Sequence, residues 1–174
     1  MYSSPLPGFS RGGGRTDLYR GVQLKKALFI DRDGTINHDC PYCKDPKDLR
    51  IFDDAVDIIK DFRKKGFVIV IITNQSGIGR GYFSEAQYEA FNTALLNELE
   101  RRGAKVDAVY HCPHRPDEGC SCRKPGTGLV LQAARDLDLD IGSSFVVGDR
   151  DDVDGEMARR LGMKYMIIRR DGSP

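Results

Sequence analysis

The sequence predicts an α/β fold: a doubly wound, mainly parallel sheet of five to six strands with helices on both faces. Three observations predict it. Short apolar or β-branched runs alternate with segments whose apolar residues recur at helical spacing. Gly residues punctuate the joints between them. Several of the runs end in Asp or Thr, the residue types expected where such sheets carry their chemistry. A chain of 174 residues is long enough for one well-buried core.

The elements follow in order. Residues 1–24 are rich in Gly, Ser, Pro and Arg and lack an apolar period, so they read as a flexible extension, and residues 25–174 as a single domain. "ALFID" is a short buried strand. Residues 54–65 place Ala55, Ile58, Ile59 and Phe62 on one helical face and stop at Gly66. "FVIVIIT" is a continuous β-branched run, as in a central parallel strand. Ser84 and Gln87 form a capping box, behind which Tyr88, Phe91, Leu95 and Leu99 share a face. "VDAVY" is a third strand, residues 127–138 a helix and "SFVVGD" a fourth strand. Residues 154–161 are a helix, and "KYMIIR" is a fifth strand.

The strand ends carry the chemistry. Asp31 and Asp33 leave the first strand two residues apart, so an extended backbone turns both to one side. Such a pair suits a divalent cation, or a nucleophile beside a proton donor. Thr73 and "NQSGIGRG" follow the second strand, where a hydroxyl, amides and Gly N–H groups can cradle an anion. Asp149 closes the fourth strand, and two carboxylates at one sheet edge can hold Mg²⁺. Lys124 lies in the loop after the third strand. A carboxylate cation clamp facing hydroxyl and cationic anion-binders fits a phosphate.

"FIDRDGT", "ITNQSG", "CRKP" and "VVGD" resemble, in order, the four signature segments of the haloacid dehalogenase superfamily of phosphatases, over roughly residues 27–170. The resemblance implies a Rossmann-like fold and catalysis by Asp31, Asp33, Thr73 and Lys124. Asp31 would be the nucleophile that forms an aspartyl-phosphate, and Asp33 the acid and then the base. Thr73 and Lys124 would stabilise the phosphoryl oxygens. Mg²⁺ would be held by Asp31, the Asp33 carbonyl and Asp149, with the Arg150 region beside them. Asp152 or Asp154 would assist.

"HCPHRPDEGCSCRKPG" contains a Cys3His set, Cys112, His114, Cys120 and Cys122, suited to closed tetrahedral Zn²⁺. Four tight ligands leave no position to activate water. The expected role is a staple that fixes the loop bearing Arg123 and Lys124. His111, adjacent to Cys112, points away. The zinc loop before "RKP" resembles two related phosphatase groups, those for heptose bisphosphates and those for histidinol phosphate. "TNQSGIGRGYFSEAQ" is similar to the heptose group, whereas the short His114–Cys120 spacing is closer to the histidinol group. The longer match favours a sugar bisphosphate. There is no room for a large cap domain, so the cleft is expected under loops 37–52, 76–84 and 111–125. Asp39, Tyr42, Asn74, Gln75, Ser76, Arg80 and Arg123 are the expected substrate contacts.

"CPYC" at Cys40–Cys43 spells a dithiol motif, but Pro46 opposes the helix start that would activate it, so a dedicated redox activity is not expected. Five cysteines, three clustered with a histidine, fit a reduced, cytoplasmic setting better than a disulfide framework. With 27 basic and 26 acidic residues, no general nucleic-acid partner is expected. The chain shows neither a signal-peptide apolar core nor an apolar run near the roughly 18 residues of a membrane span. The expected form is a monomer acting on a small phosphorylated sugar. The rival of another class is an inactive zinc-containing binding protein on the same scaffold, and the enzymatic rival is a polynucleotide-end phosphatase.

Overall fold

The apolar runs of the sequence become the middle of a parallel sheet. The computed structural model describes residues 23–170. Most of the expected N-terminal extension, and residues 171–174, lie outside that range. Five strands are present among the described residues: β1 (Ala27–Ile30), β2 (Val68–Asn74), β3 (Ala108–Cys112), β4 (Phe145–Gly148) and β5 (Lys164–Ile167). Their order is β3-β2-β1-β4-β5, all parallel. The chain thus builds outward from β1 on one side and returns to its other side for β4. That reversal makes a crevice beyond the carboxyl ends of β1 and β4.

Strand alternation divides the core in two. Ala27, Phe29, Val70 and Ile72 face Leu129, Val130 and Ala133 of α4 (Gly128–Leu137) and Met157 and Ala158 of α5 (Glu156–Arg160). Leu28, Ile30, Ile69 and Ile71 face Val56 and Ile59 of α1 (Asp53–Lys64) and Leu95 and Leu99 of α3 (Glu85–Arg101). The short α2 (Ser76–Gly79) follows β2 directly. Helix α1 begins on Asp53 and Asp54 and ends on Arg63 and Lys64, matching charge to its dipole. The capping box of α3 is formed: Gln87 N–H donates to Ser84 Oγ at 3.2 Å, and Ser84 N–H donates to Gln87 Oε1 at 2.9 Å.

Two expectations need correction. Strand β3 runs two residues later than "VDAVY", because its pairing with β2 continues to Asn74 opposite Cys112. The helix expected over 154–161 starts only at Glu156. Before it, the Arg150 carbonyl accepts N–H groups from Val153, Asp154 and Gly155 (3.3, 2.7 and 3.3 Å), which opens a wide turn over Asp151–Gly155 and sends Asp154 inward. Cys40 and Cys43 bring their sulfurs into contact, while Cys112, Cys120 and Cys122 are free. A tight turn, with Cys43 N–H on the Cys40 carbonyl at 3.1 Å, brings their Cα atoms to 5.4 Å. No helix among the described residues is long and apolar enough to cross a membrane.

Candidate active site

Beyond the carboxyl ends of β1, β2 and β4 lies a cavity of about 430 Å³. Asp31, Asp33, Thr73, Lys124, Asp149 and Asp154 all line it. Lys124 is at the centre and is 3% exposed. Its Nζ donates to Asp31 Oδ1 at 2.5 Å and to Asp154 Oδ1 at 2.7 Å. Burial disfavours its charge, but Asp31 and Asp154 outweigh burial and hold the ammonium above the ordinary lysine range. Asp31 is pushed up to about 8: burial raises it, Lys124 opposes, and Asp154 adds repulsion. Burial and then Asp154 likewise raise Asp149.

These three carboxylates fit a divalent cation. Oxygens of Asp31, Asp149 and Asp154 lie within 4.8 Å of one another. Three carboxylates that close are the oxygen donor set a hard cation needs. Two glycines make room for them. A Cβ on Gly34, whose φ is +81°, would come within 2.4 Å of Asp149 Oδ2, and one on Gly148 within 2.3 Å of Asp154. Of the two aspartates the sequence left open, Asp154 is the one that lines the cavity beside Asp31 and Asp149. Asp152 instead pairs with Arg150 on the surface at 2.6 Å. Thr35 was not singled out from the sequence. Its hydroxyl lies 3.4 Å from Asp31 Oδ2 and 3.5 Å from Asp149 Oδ1.

Asp33 faces a different set of groups. Its carboxylate accepts from Arg32, from Asn37 Nδ2 at 3.0 Å and from Gln75 Nε2 at 2.7 Å. Gln75 Nε2 also donates to Thr73 Oγ1 at 2.8 Å, tying the ends of β1 and β2 together. Asn74 forms a two-way clasp on Lys124. Its Nδ2 donates to the Lys124 carbonyl at 3.1 Å, and its Oδ1 accepts the Lys124 N–H at 3.0 Å. Asp39, Tyr42, Ser76, Arg123 and Arg150 also line the cavity. Asp39 is raised by burial and by Asp33. Arg80 is not among the lining residues and stands exposed beyond α2. Tyr42, with φ at +57°, stacks edge-on against Tyr82 at 4.5 Å.

The Cys/His loop forms one cluster at the end of β3. Cys112 Sγ lies 3.5 Å from His114 Nδ1, 3.5 Å from Cys120 Sγ and 3.1 Å from Cys122 Sγ. His114 Nδ1 is 3.2 Å from Cys122 Sγ, and Cys120 is 3.5 Å from Cys122. A tetrahedral zinc with metal–sulfur bonds of about 2.3 Å implies edges of roughly 3.8 Å, so the set fits with a slight expansion. Burial pushes the Cys112 thiol up, a resistance to ionising that a bound cation would offset. His111 is outside the cluster, on Glu85 at 2.7 Å. The loop then delivers Arg123, whose Nη1 reaches the His114 carbonyl at 3.5 Å, and Lys124.

Comparison with known proteins agrees with this geometry. The family model described as HAD-hydrolase-like matches residues 121–173. A Thermoplasma acidophilum protein named probable D-glycero-D-manno-heptose-1,7-bisphosphate 7-phosphatase is 58% identical over 149 residues, covering 86% of this chain and 93% of the relative. The Escherichia coli K12 D-glycero-beta-D-manno-heptose-1,7-bisphosphate 7-phosphatase is 38% identical over 156 residues, covering 85% and 81%. Among solved structures, a D,D-heptose 1,7-bisphosphate phosphatase from B. bronchiseptica, complexed with magnesium and phosphate, superposes with a TM-score of 0.74 at 34% identity. It covers 82% of this chain and 79% of that one. A parallel sheet with its carboxylates, lysine and hydroxyls at one edge, together with relatives this similar over most of their length, makes the chain a member of the heptose-bisphosphate phosphatase family of haloacid-dehalogenase-like hydrolases.

Proposed function

We propose that the protein hydrolyses the 7-phosphate of D-glycero-D-manno-heptose 1,7-bisphosphate through a phosphorylated Asp31. The observation that carries the chemistry is the convergence of Asp31, Asp33, Thr73, Lys124, Asp149 and Asp154 on one cavity. The similarity to relatives named for this reaction carries the substrate. Asp31 attacks phosphorus, and the bond to the sugar oxygen breaks. Asp33 gives that oxygen its proton. Asp33 then takes a proton from water, which attacks the aspartyl-phosphate and frees Asp31 and phosphate. Lys124 and Thr73 face the phosphoryl oxygens, and the Gln75 bridge holds Thr73 and Asp33 at a fixed separation. Asp31, Asp149 and Asp154 would hold Mg²⁺, which supplies charge neutralisation for the phosphoryl group. Cys112, His114, Cys120 and Cys122 would hold Zn²⁺ as a closed four-donor set, which would shape the loop and supply no chemistry to the substrate.

Of the two arginines expected to meet the distal phosphate, Arg123 lines the cavity and Arg80 does not, so that contact is assigned to Arg123. A guanidinium reads phosphate through two parallel hydrogen bonds. The test is phosphate release from heptose 1,7-bisphosphate and from histidinol phosphate by wild type and Arg123→Ala. Heptose bisphosphate should be preferred. The substitution should lower its kcat/KM about ten- to a hundredfold, as for one lost charge-assisted contact. Histidinol phosphate should be spared. A wild-type preference for histidinol phosphate would move the protein to that neighbouring activity.

A further inference from the structure

Arg32 is the largest side chain that the fold buries fully, at 1% exposure. Burial of a guanidinium requires compensation, because the group keeps its charge. The compensation is specific. Arg32 Nε lies 3.2 and 3.1 Å from the two oxygens of Asp33, and Nη2 lies 2.9 Å from Oδ2. The guanidinium carbon sits 5.4 Å from the ring centre of Tyr88 and 5.1 Å from that of Phe91, both on α3. Nη1 and Tyr88 Oη are buried without partners among the described residues, and Asp33 is the one carboxylate that forms an ion pair with this charge there.

The loop is wound on the same residue. The Arg32 carbonyl accepts N–H groups from Thr35, Ile36 and Asn37 at 3.3, 2.8 and 3.1 Å. Asn37 and Gln75 complete the grip on Asp33, whose side chain is still 24% exposed and lines the cavity. The carboxylate is thus held from behind and open in front. A buried ion pair is a poor source of stability. Holding a proton donor at one orientation is a strong source of rate.

We propose that Arg32 is the positioning residue for the acid–base carboxylate: its side-chain fork, clamped between Tyr88 and Phe91, fixes the plane in which Asp33 presents its proton to the leaving oxygen. This rests on the reading of Asp33 as the acid–base group. Two substrates separate positioning from a purely structural role. A sugar phosphate leaves as an alkoxide that needs the proton, whereas p-nitrophenyl phosphate leaves as a stable phenolate that does not.

The experiment is single-turnover release of the leaving group from fructose 1,6-bisphosphate and from p-nitrophenyl phosphate, with Mg²⁺. The proteins are wild type, Arg32→Met, Arg32→Lys, Asp33→Asn and Arg32→Met/Asp33→Asn, each checked by thermal melting. Arg32→Met should slow the sugar phosphate about ten- to a hundredfold, within the range of general acid catalysis, and p-nitrophenyl phosphate about threefold or less. In the Asp33→Asn background the same substitution should change either rate by less than about twofold, because the group it positions is gone. Arg32→Lys keeps the charge and loses the fork. It should fall in between, and carries the comparison if Arg32→Met does not fold. Equal losses on both substrates, undiminished losses in the Asp33→Asn background, or no loss in a folded variant would each overturn the proposal. A wild-type rate in Asp33→Asn alone would instead remove the acid–base assignment beneath it, whatever Arg32 does.

Discussion

Asp31 pays for its reactivity in the metal-free protein. Its carboxyl is buried beside Asp149 and Asp154, with Lys124 as the compensating cation, and its folded value of about 8 stands well above the unfolded 3.8. A carboxyl shifted upward contributes stability that is full below about pH 4 and is lost as pH rises through the folded value. The metal-free protein should therefore melt at progressively lower temperature between pH 5 and pH 8. Asp31→Asn should flatten that slope and remove activity on the order of a thousandfold or more, since an amide cannot accept the phosphoryl group. Thermal melts at the two pH values, with and without Mg²⁺, check this. Parallel slopes in wild type and variant would assign the pH dependence to other groups. Much at this scale was legible from strand ends alone: Asp31, Thr73, Lys124 and Asp149 stand at the edge the sequence assigned them. Arg32, Thr35 and Asn37 were not. In the sequence Arg32 looks like any charge beside a turn, and only the packing of Tyr88 and Phe91, more than fifty residues later, buries it.

At the level of elements, the site is held by two independent devices on the Lys124 loop. One is the Asn74 clasp, which ties the Lys124 backbone to the end of β2. The other is the Cys/His cluster, which closes the loop between Cys112 and Cys122. Stripping zinc with a chelator, or substituting Cys120→Ser, should leave the clasp in place. We expect KM for the sugar bisphosphate to rise about tenfold, the scale of damage from losing support around a metal-shaped loop, with a smaller fall in kcat. Steady-state kinetics alongside zinc analysis measures this, and a zinc-free protein with unchanged KM would contradict it. The clustering of Cys112, His114, Cys120 and Cys122 was readable because three thiols and an imidazole within eleven residues have few other uses. The wide turn at Asp151–Gly155 was not readable. Its residues have ordinary helix-start composition, and the choice between Asp152 and Asp154 depends on three N–H groups converging on the Arg150 carbonyl.

For the whole molecule, the doubly wound order followed from alternating apolar runs and amphipathic segments, because each strand of a covered parallel sheet must be apolar on both faces. Strand ends were less legible, since register is set by the neighbouring strand and not by local preference. The order β3-β2-β1-β4-β5 also places the two halves of the site far apart in the chain: Lys124 meets Asp31 across 93 residues, and Thr35 meets Asp149 across 114. Contacts so distant in sequence form late in folding, after local helices. On refolding, far-ultraviolet circular dichroism should recover ahead of phosphate release, and coincident traces would show that site and helices form together. The same arrangement governs synthesis. A nascent chain that has displayed Asp31 still lacks Asp149 and Asp154, so on the proposed mechanism hydrolysis would begin only when β4 and the turn behind it had left the ribosome and docked against β1.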